Sequence, residues 1–176
     1  MCGFVGYIKY DRNDPQIGAR ANASAKARQQ ALKTIENRGP DAEGQWQDPH
    51  IWLGHRRLSV VDTASRGNQP MVYGNLVIVF NGMIYNYRDI RQKLIQKGYR
   101  FKTDTDTEVL LAGWTEWRQG LLPRLHGMFA FALWDKATKR LILARDRFGK
   151  KPLYFRHWRG IFAFGSRFDT VEALTE

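Results

Sequence analysis

Hydrophobic positions along the 176 residues fall into short blocks whose period changes from strand-like to helical and back. Residues 3–10 predict a strand that starts at the third residue. Asp11 to Pro15 has the composition of a turn. Residues 17–37 place Ala21, Ala25, Leu32 and Ile35 at helical spacing in an Ala-, Gln-, Lys- and Arg-rich stretch. They predict one long helix ending before Gly39-Pro40, since both residues oppose continuation. After the loop Arg38-Gly39-Pro40-Asp41, residues 50–62 predict short strands, followed by a loop through Gln69-Pro70-Met71. Residues 76–80 form a continuous apolar run, as a strand buried on both faces requires. Asn81-Gly82 then predicts a turn.

Residues 87–97 predict a helix with Ile90, Leu94 and Ile95 on one face. The Thr103–Glu108 stretch supplies cap residues for a helix running from Val109 to about Arg118. Residues 127–135 and 139–145 predict a hairpin, and Arg147 to Pro152 a loop. Tyr154-Phe155 and residues 161–164 predict a second hairpin around Trp158-Arg159-Gly160. Strands dominate both ends with helices between them, and neither a repeat nor a linker interrupts the order. The expectation is a single α+β domain over residues 1–176, layered, with antiparallel sheets.

Composition narrows the function classes. At 43% hydrophobic residues the chain can bury a core and is not a disordered segment. A single cysteine excludes an internal disulfide framework and fits a reducing compartment, so a cytoplasmic location is expected. Four scattered His and one Cys offer no metal-ligand spacing, so no metal site is expected. No apolar run is long enough to span a bilayer, and the N-terminus lacks a signal-peptide pattern. The formal net charge of +11 admits nucleic acid or an acidic partner. Its basic clusters, Arg56-Arg57, Arg145 to Lys151 and Arg156 to Arg159, lie within or beside apolar strands and not in a basic tail. A solvated basic surface or a face for an acidic partner domain is therefore favoured over nucleic acid.

The chemistry centres on Cys2. Loss of Met1 would make it the first residue, with its α-amine beside its thiol. That amine has an ordinary pKa of about 7.7–8.0. It can take the thiol proton near neutral pH and return it, a known way of activating a nucleophile. Gly3 would let the backbone approach a substrate. To hydrolyse an amide, such a Cys needs oxyanion donors, which Asn81 and Gly82 can supply. It also needs a carboxylate clamp, for which Arg57 is suited, and an acceptor for an amine, for which Asp106 is suited. Each residue also has an ordinary reading: a hairpin turn, a surface Arg, a helix cap.

Taken together, Met1-Cys2-Gly3, Arg38 to Asp41, Gly54 to Asp62, Gln69-Pro70-Met71, Asn81 to Asn86, Thr105 to Glu108, Gly127 to Ala132 and Arg145 to Tyr154 resemble the glutaminase domain of glutamine-hydrolysing asparagine synthetases. These are class II glutamine amidotransferases. The resemblance implies a four-layer αββα sandwich of two antiparallel sheets, the N-terminal nucleophile hydrolase fold. It implies that Cys2 attacks the side-chain amide of glutamine and releases ammonia by way of a γ-glutamyl thioester. Arg57 would hold the α-carboxylate, Asn81 and Gly82 the oxyanion, and Asp106 the α-amine. The backbone around Val60 and Val61 and the Gly39 loop would close the pocket. No cofactor is implied for this half-reaction. ATP and Mg²⁺ would belong to a synthetase domain or subunit receiving the ammonia, which residues 1–176 do not contain, and a homodimer is left open.

Three departures stand out. The family's Asn-Gly-Glu-Ile-Tyr-Asn becomes Asn81-Gly82-Met83-Ile84-Tyr85-Asn86, so Met83 replaces a carboxylate expected at the amine site. The family's Ser-Glu near the end becomes Ser166-Arg167. The Ser-Gly-Gly phosphate loop of the synthetase half has no counterpart here. Beside the glutaminase reading, a non-catalytic regulatory or assembly module of the same fold and a nonspecific nucleic-acid binder are carried as alternatives.

Overall fold

The computed structural model describes residues 2–10, 22–59 and 65–175. Nine strands lie in two antiparallel sheets. One has the order β2-β3-β1-β9-β8, from strands β1 (Gly3–Lys9), β2 (Ala42–Gln47), β3 (Ile51–Arg57), β8 (Tyr154–Trp158) and β9 (Ile161–Gly165). The other has the order β4-β5-β6-β7, from β4 (Met71–Tyr73), β5 (Leu76–Ile84), β6 (Gly127–Asp135) and β7 (Arg140–Arg145). Four α-helices lie among the described residues: α1 (Ala25–Thr34), α2 (Tyr87–Gln96), α3 (Asp106–Trp117) and α4 (Phe168–Ala173).

Strand alternation sorts the core into three layers of contact. Phe4, Leu53, Val77, Val79, Ala130, Ala132 and Trp134 meet between the sheets. Val5, Tyr7, Trp52 and Ala163 point the other way, onto Ala31 and Leu32 of α1 and Val171 of α4. Ile78, Phe80, Phe131 and Leu133 pack on Ile90 and Leu94 of α2 and on Val109 and Leu110 of α3. Successive residues of β5 and β6 are thus buried on opposite faces, which is why these strands read as unbroken apolar runs. The result is the expected αββα sandwich, with β1 central in one sheet and β5 and β6 central in the other.

The elements depart from expectation at informative places. The predicted helix over 17–37 is shorter. Asn22 to Ser24 are not helical, and Ser24 caps α1 by accepting from Ala27 N–H at 3.1 Å. A 3₁₀ turn over Glu36–Arg38 carries the chain to Gly39. The predicted Asp11–Pro15 turn and residues 17–21 lie outside the described residues. Asn81-Gly82 is not a turn, because β5 runs through it to Ile84. Ile95 faces solvent, one position past the Ile90–Leu94 stripe. Strand β2 is an edge strand that alternates half-buried Ala42, Gly44 and Trp46 with exposed Glu43, Gln45 and Gln47. Besides its backbone pairing to β3 it is held by Trp46 packing on the inter-sheet core and by the Arg56–Glu43 ion pair at 2.6 Å. Helix α4 puts a helix where strands were expected to end the domain. No helix among the described residues is long and apolar enough to cross a membrane.

Candidate active site

Cys2 immediately precedes β1, whose first residues are fixed from both sides. Phe4 N–H donates to Ser166 Oγ at 3.0 Å, and Ser166 N–H donates to Phe4 O at 2.9 Å. Ser166 of the divergent Ser166-Arg167 pair therefore anchors the start of β1, while Arg167 forms an exposed ion pair with Asp169 at 2.7 Å. The space beside Gly3 is taken by Ile35 and the Arg38 stem, and so is not open for a substrate. The Cys2 thiol receives Leu58 N–H at 3.3 Å. Burial pushes it above its ordinary pKa, against the opposing pull of that N–H and of the nearby Arg57 cation. A thiol that rests protonated needs a base at the moment of attack.

Cys2 opens on a cavity of about 190 Å³ that Asn81, Gly82, Arg57, Met83 and Asp106 also line. All six of these expected site residues meet at one place. Val60 and Val61 lie outside the described residues. The Gly39 loop is not among the described lining residues. Gly39 packs on the Arg56–Arg57 backbone instead, and the expectation that it closes the pocket is corrected accordingly.

Strand geometry gives the Asn81–Gly82 segment its chemistry. In an antiparallel ladder, alternate residues turn both N–H and C=O to the same neighbour. Phe129, opposite Gly82, directs both groups to Asp146: its N–H donates to Oδ2 at 3.2 Å, and its carbonyl accepts Asp146 N–H at 2.7 Å. Gly82 and Phe129 are therefore a non-hydrogen-bonded pair of the β5–β6 ladder, and Gly82 N–H turns away from β6. Its neighbours on that side confirm the parity. Phe80 N–H donates to Gln69 Oε1 at 2.6 Å and Ile84 N–H to Asp106 Oδ2 at 3.0 Å. Between these two occupied donors, Gly82 N–H faces the cavity. A Cβ on Gly82 would sit 2.2 Å from Met128 O, so only glycine fits this position.

Asn81 is buried, and its amide is oriented by two partners. The amide orientation that satisfies both neighbours has Nδ2 donating to Cys2 O at 3.0 Å and Oδ1 accepting from Arg38 Nη2 at 3.2 Å. Arg38 Nε also donates to Cys2 O at 3.1 Å. One Asn81 N–H remains for the cavity. The buried Arg57 donates to Asn68 Oδ1 at 2.7 Å. Asp106 is the first residue of α3, but Thr105 does the capping, accepting from Glu108 N–H at 3.2 Å. The Asp106 carboxyl lines the cavity with Oδ2 taken by Ile84 N–H at 3.0 Å, and burial pushes its pKa up to about 6 against the opposing pull of backbone N–H groups.

Further residues at the site were given no role by the sequence. Lys151 lines the cavity, is almost fully buried, and is pulled below the ordinary lysine range by that burial. Asp146 places it, gathering the N–H groups of Phe129, Phe148, Lys150 and Lys151. Gln69 also lines the cavity. His55 is fully buried, donates through Nε2 to Phe80 O at 3.1 Å, and is held neutral by desolvation with a pKa of about 4. Gln69, His55 and Lys151 all lie in motifs that the sequence singled out, but a motif assigns no role.

Two antiparallel sheets between helical layers make an αββα sandwich, with a thiol at the head of a central strand and an outward-turned backbone donor lining the same cavity. The chain belongs to the glutamine amidotransferase family: the sequence model of the glutamine amidotransferase domain matches residues 1–176. Among curated relatives, asparagine synthetase [glutamine-hydrolyzing] 1 of Bacillus subtilis is 43% identical over 157 residues, covering 88% of this chain and 24% of that protein. Asparagine synthetase [glutamine-hydrolyzing] 3 of the same organism is 35% identical over 177 residues, covering 98% and 28%. The chain thus spans about a quarter of the length of these relatives. A solved glutamine phosphoribosylpyrophosphate amidotransferase from B. subtilis superposes with a TM-score of 0.74 at 21% identity, covering 98% of this chain and 43% of that one, and shares the fold.

Proposed function

We propose that this domain hydrolyses glutamine to glutamate and ammonia through a Cys2 thioester, and delivers the ammonia to a synthetase-type domain or subunit. The observation that carries the reading is the single cavity joining the Cys2 thiol to Gly82 N–H, Arg57 and Asp106. With its α-amine free, Cys2 passes the thiol proton to that amine, and sulfur attacks the side-chain carbonyl carbon. The oxygen takes up negative charge facing Gly82 N–H and the remaining Asn81 N–H. The C–N bond breaks, and ammonia leaves with the proton returned by the amine. Water then adds to the thioester, the C–S bond breaks, and glutamate departs. Arg57 clamps the α-carboxylate, and Asp106 receives the α-ammonium. His55 is already bonded to Phe80 and does not serve as the base. The half-reaction uses no metal or cofactor, and ATP and Mg²⁺ belong to the acceptor side. Ammonia release from glutamine by the purified protein, measured with a glutamate readout, tests the reading; absence of both products overturns it.

The raised pKa of Asp106 sets a pH dependence. Only the ionised carboxylate pairs with the α-ammonium, so the glutamine KM is expected to rise as pH falls through about 6. Asp106→Asn should raise KM at neutral pH and remove that limb of the profile; an unchanged profile would place the amine elsewhere. The folded state also holds the Asp106 proton more tightly than the unfolded chain does. This contribution to stability is complete below the ordinary value of 3.8 and is lost as pH rises through about 6.

Met83 favours the second reading, a non-catalytic module, because a thioether stands where the resembled pattern has a carboxylate. It lines the cavity opposite Met128 in the β5–β6 register. Met83→Glu is expected to strengthen glutamine binding by about tenfold if one charged hydrogen bond to the amine is restored. Calorimetric titration of Cys2→Ala protein, with and without Met83→Glu, measures this without turnover. Equal affinities would remove Met83 from the amine site.

A further inference from the structure

Strand β5 outruns its neighbour. β4 pairs only with Leu76 to Ile78, so the outward-turned groups of Phe80, Gly82 and Ile84 have no strand beside them. Side chains stand in for it. Gln69 Oε1 takes Phe80 N–H at 2.6 Å, His55 Nε2 holds Phe80 O at 3.1 Å, and Asp106 Oδ2 takes Ile84 N–H at 3.0 Å. The one gap in this substitute ladder is at Gly82, and it faces the cavity.

Gln69 is the member that ties the two cavity walls together. Its Nε2 donates to Thr107 Oγ1 at 3.3 Å, one residue past Asp106 on α3, while its Oε1 grips β5 two residues before Gly82. Both partners are buried, and Gln69 itself is only 7% exposed. The other sheet presses on Gln69 from behind: a Cβ on Gly44 would lie 2.0 Å from Gln69 O. The side chain is therefore seated by its own backbone, by α3 and by β5 at once.

We infer that Gln69 is a positioning residue for the oxyanion: by replacing the missing strand at Phe80, it fixes the direction of the Gly82 N–H. The inference rests on reading the domain as a glutaminase and extends that reading to a residue that does none of the chemistry. A donor serves the transition state only when aimed at the place where the charge will develop. Loss of Gln69 would release Phe80 N–H and leave His55 on Phe80 O as the remaining outward tether of that residue, loosening the segment that aims the next outward N–H.

The test compares the parent with Gln69→Leu, which keeps the bulk and removes both bonds, and with Thr107→Val, which removes only the anchor on α3. For Gln69→Leu, kcat per titrated Cys2 thiol is expected to fall by about 10-fold to 100-fold, the scale of a misaimed catalytic group. Affinity for glutamate γ-semialdehyde, whose hemithioacetal with Cys2 carries the same oxygen charge, should fall by the same factor. Glutamine affinity in the Cys2→Ala background should stay within about 3-fold, since the ground-state amide makes little use of the hole. Thr107→Val should show the same split at smaller size, and it carries the test if Gln69→Leu does not fold. A kcat equal to the parent's, or a loss shared equally between glutamine and the semialdehyde, overturns the positioning role and leaves the glutaminase reading in place. A parent that produces no ammonia from glutamine overturns both.

Discussion

Cys2→Ala protein is expected to release no measurable ammonia from glutamine while keeping its fold and its affinity for the substrate. Among the described residues the thiol's side-chain hydrogen bonds are with Leu58, from its N–H and to its carbonyl, so loss of the thiol leaves β1 anchored by the Phe4–Ser166 pair. Arg57 and Asp106 reach the cavity from β3 and α3 and do not depend on the thiol. Binding and chemistry should therefore separate, with turnover lost and calorimetric affinity retained. The amine half of the mechanism predicts a second inactive form. Burial raises the thiol pKa, so the resting thiol is protonated and sulfur needs a base when it attacks. His55, the neighbouring imidazole, is occupied by Phe80 and desolvated. A protein carrying an uncleaved extension before Cys2 has no free amine there and should be as inactive as Cys2→Ala, with the intact mass reporting which form is present. Full turnover by either form would sink the N-terminal nucleophile mechanism.

The fold was legible wherever burial on two faces wrote a continuous apolar run, as in β5 and β6, or where Gly and Pro cut the chain, as at Gly39-Pro40. It was less legible where the apolar face is thin. Strand β2 alternates Ala42, Gly44 and Trp46 with Glu43, Gln45 and Gln47, and Trp46 is the one large apolar residue on its inner face, so the strand pattern is weak. The Asn81-Gly82 reading failed for a different reason. The pair is a strong turn signal by local propensity, but Gly82 is there because β6 runs too close for a side chain, and tertiary contact overrode propensity. The same error hid why Gly82 N–H faces the cavity: a turn would have turned it there by chance, whereas the strand does so by parity. Cys2, Arg57 and Asp106, singled out by residue type, do meet at one cavity. Arg38, Gln69 and Lys151 were given no role by the sequence, since each acts by what it touches: the Cys2 carbonyl, the Phe80 N–H and the cavity wall.

Asn81→Ala is expected to lower kcat by about 10²–10³ with little change in KM, the usual cost of removing one oxyanion donor. The prediction depends on what else Asn81 holds. Its amide bonds Cys2 O and Arg38 Nη2, so truncation could act by loosening Cys2 instead of by removing a donor. Arg38 keeps its own bond from Nε to Cys2 O, so the nucleophile remains tethered without Asn81. Asn81→Asp separates the two effects further. The carboxylate still accepts from Arg38 but presents no N–H to the cavity, and a negative charge beside the developing oxyanion opposes it. It should therefore cost at least as much kcat as alanine while retaining more of the thermal stability. If Asn81→Asp keeps near-parental turnover, or if both variants raise KM with kcat intact, Asn81 serves to place Cys2. Gly82 N–H would then carry the oxyanion without it.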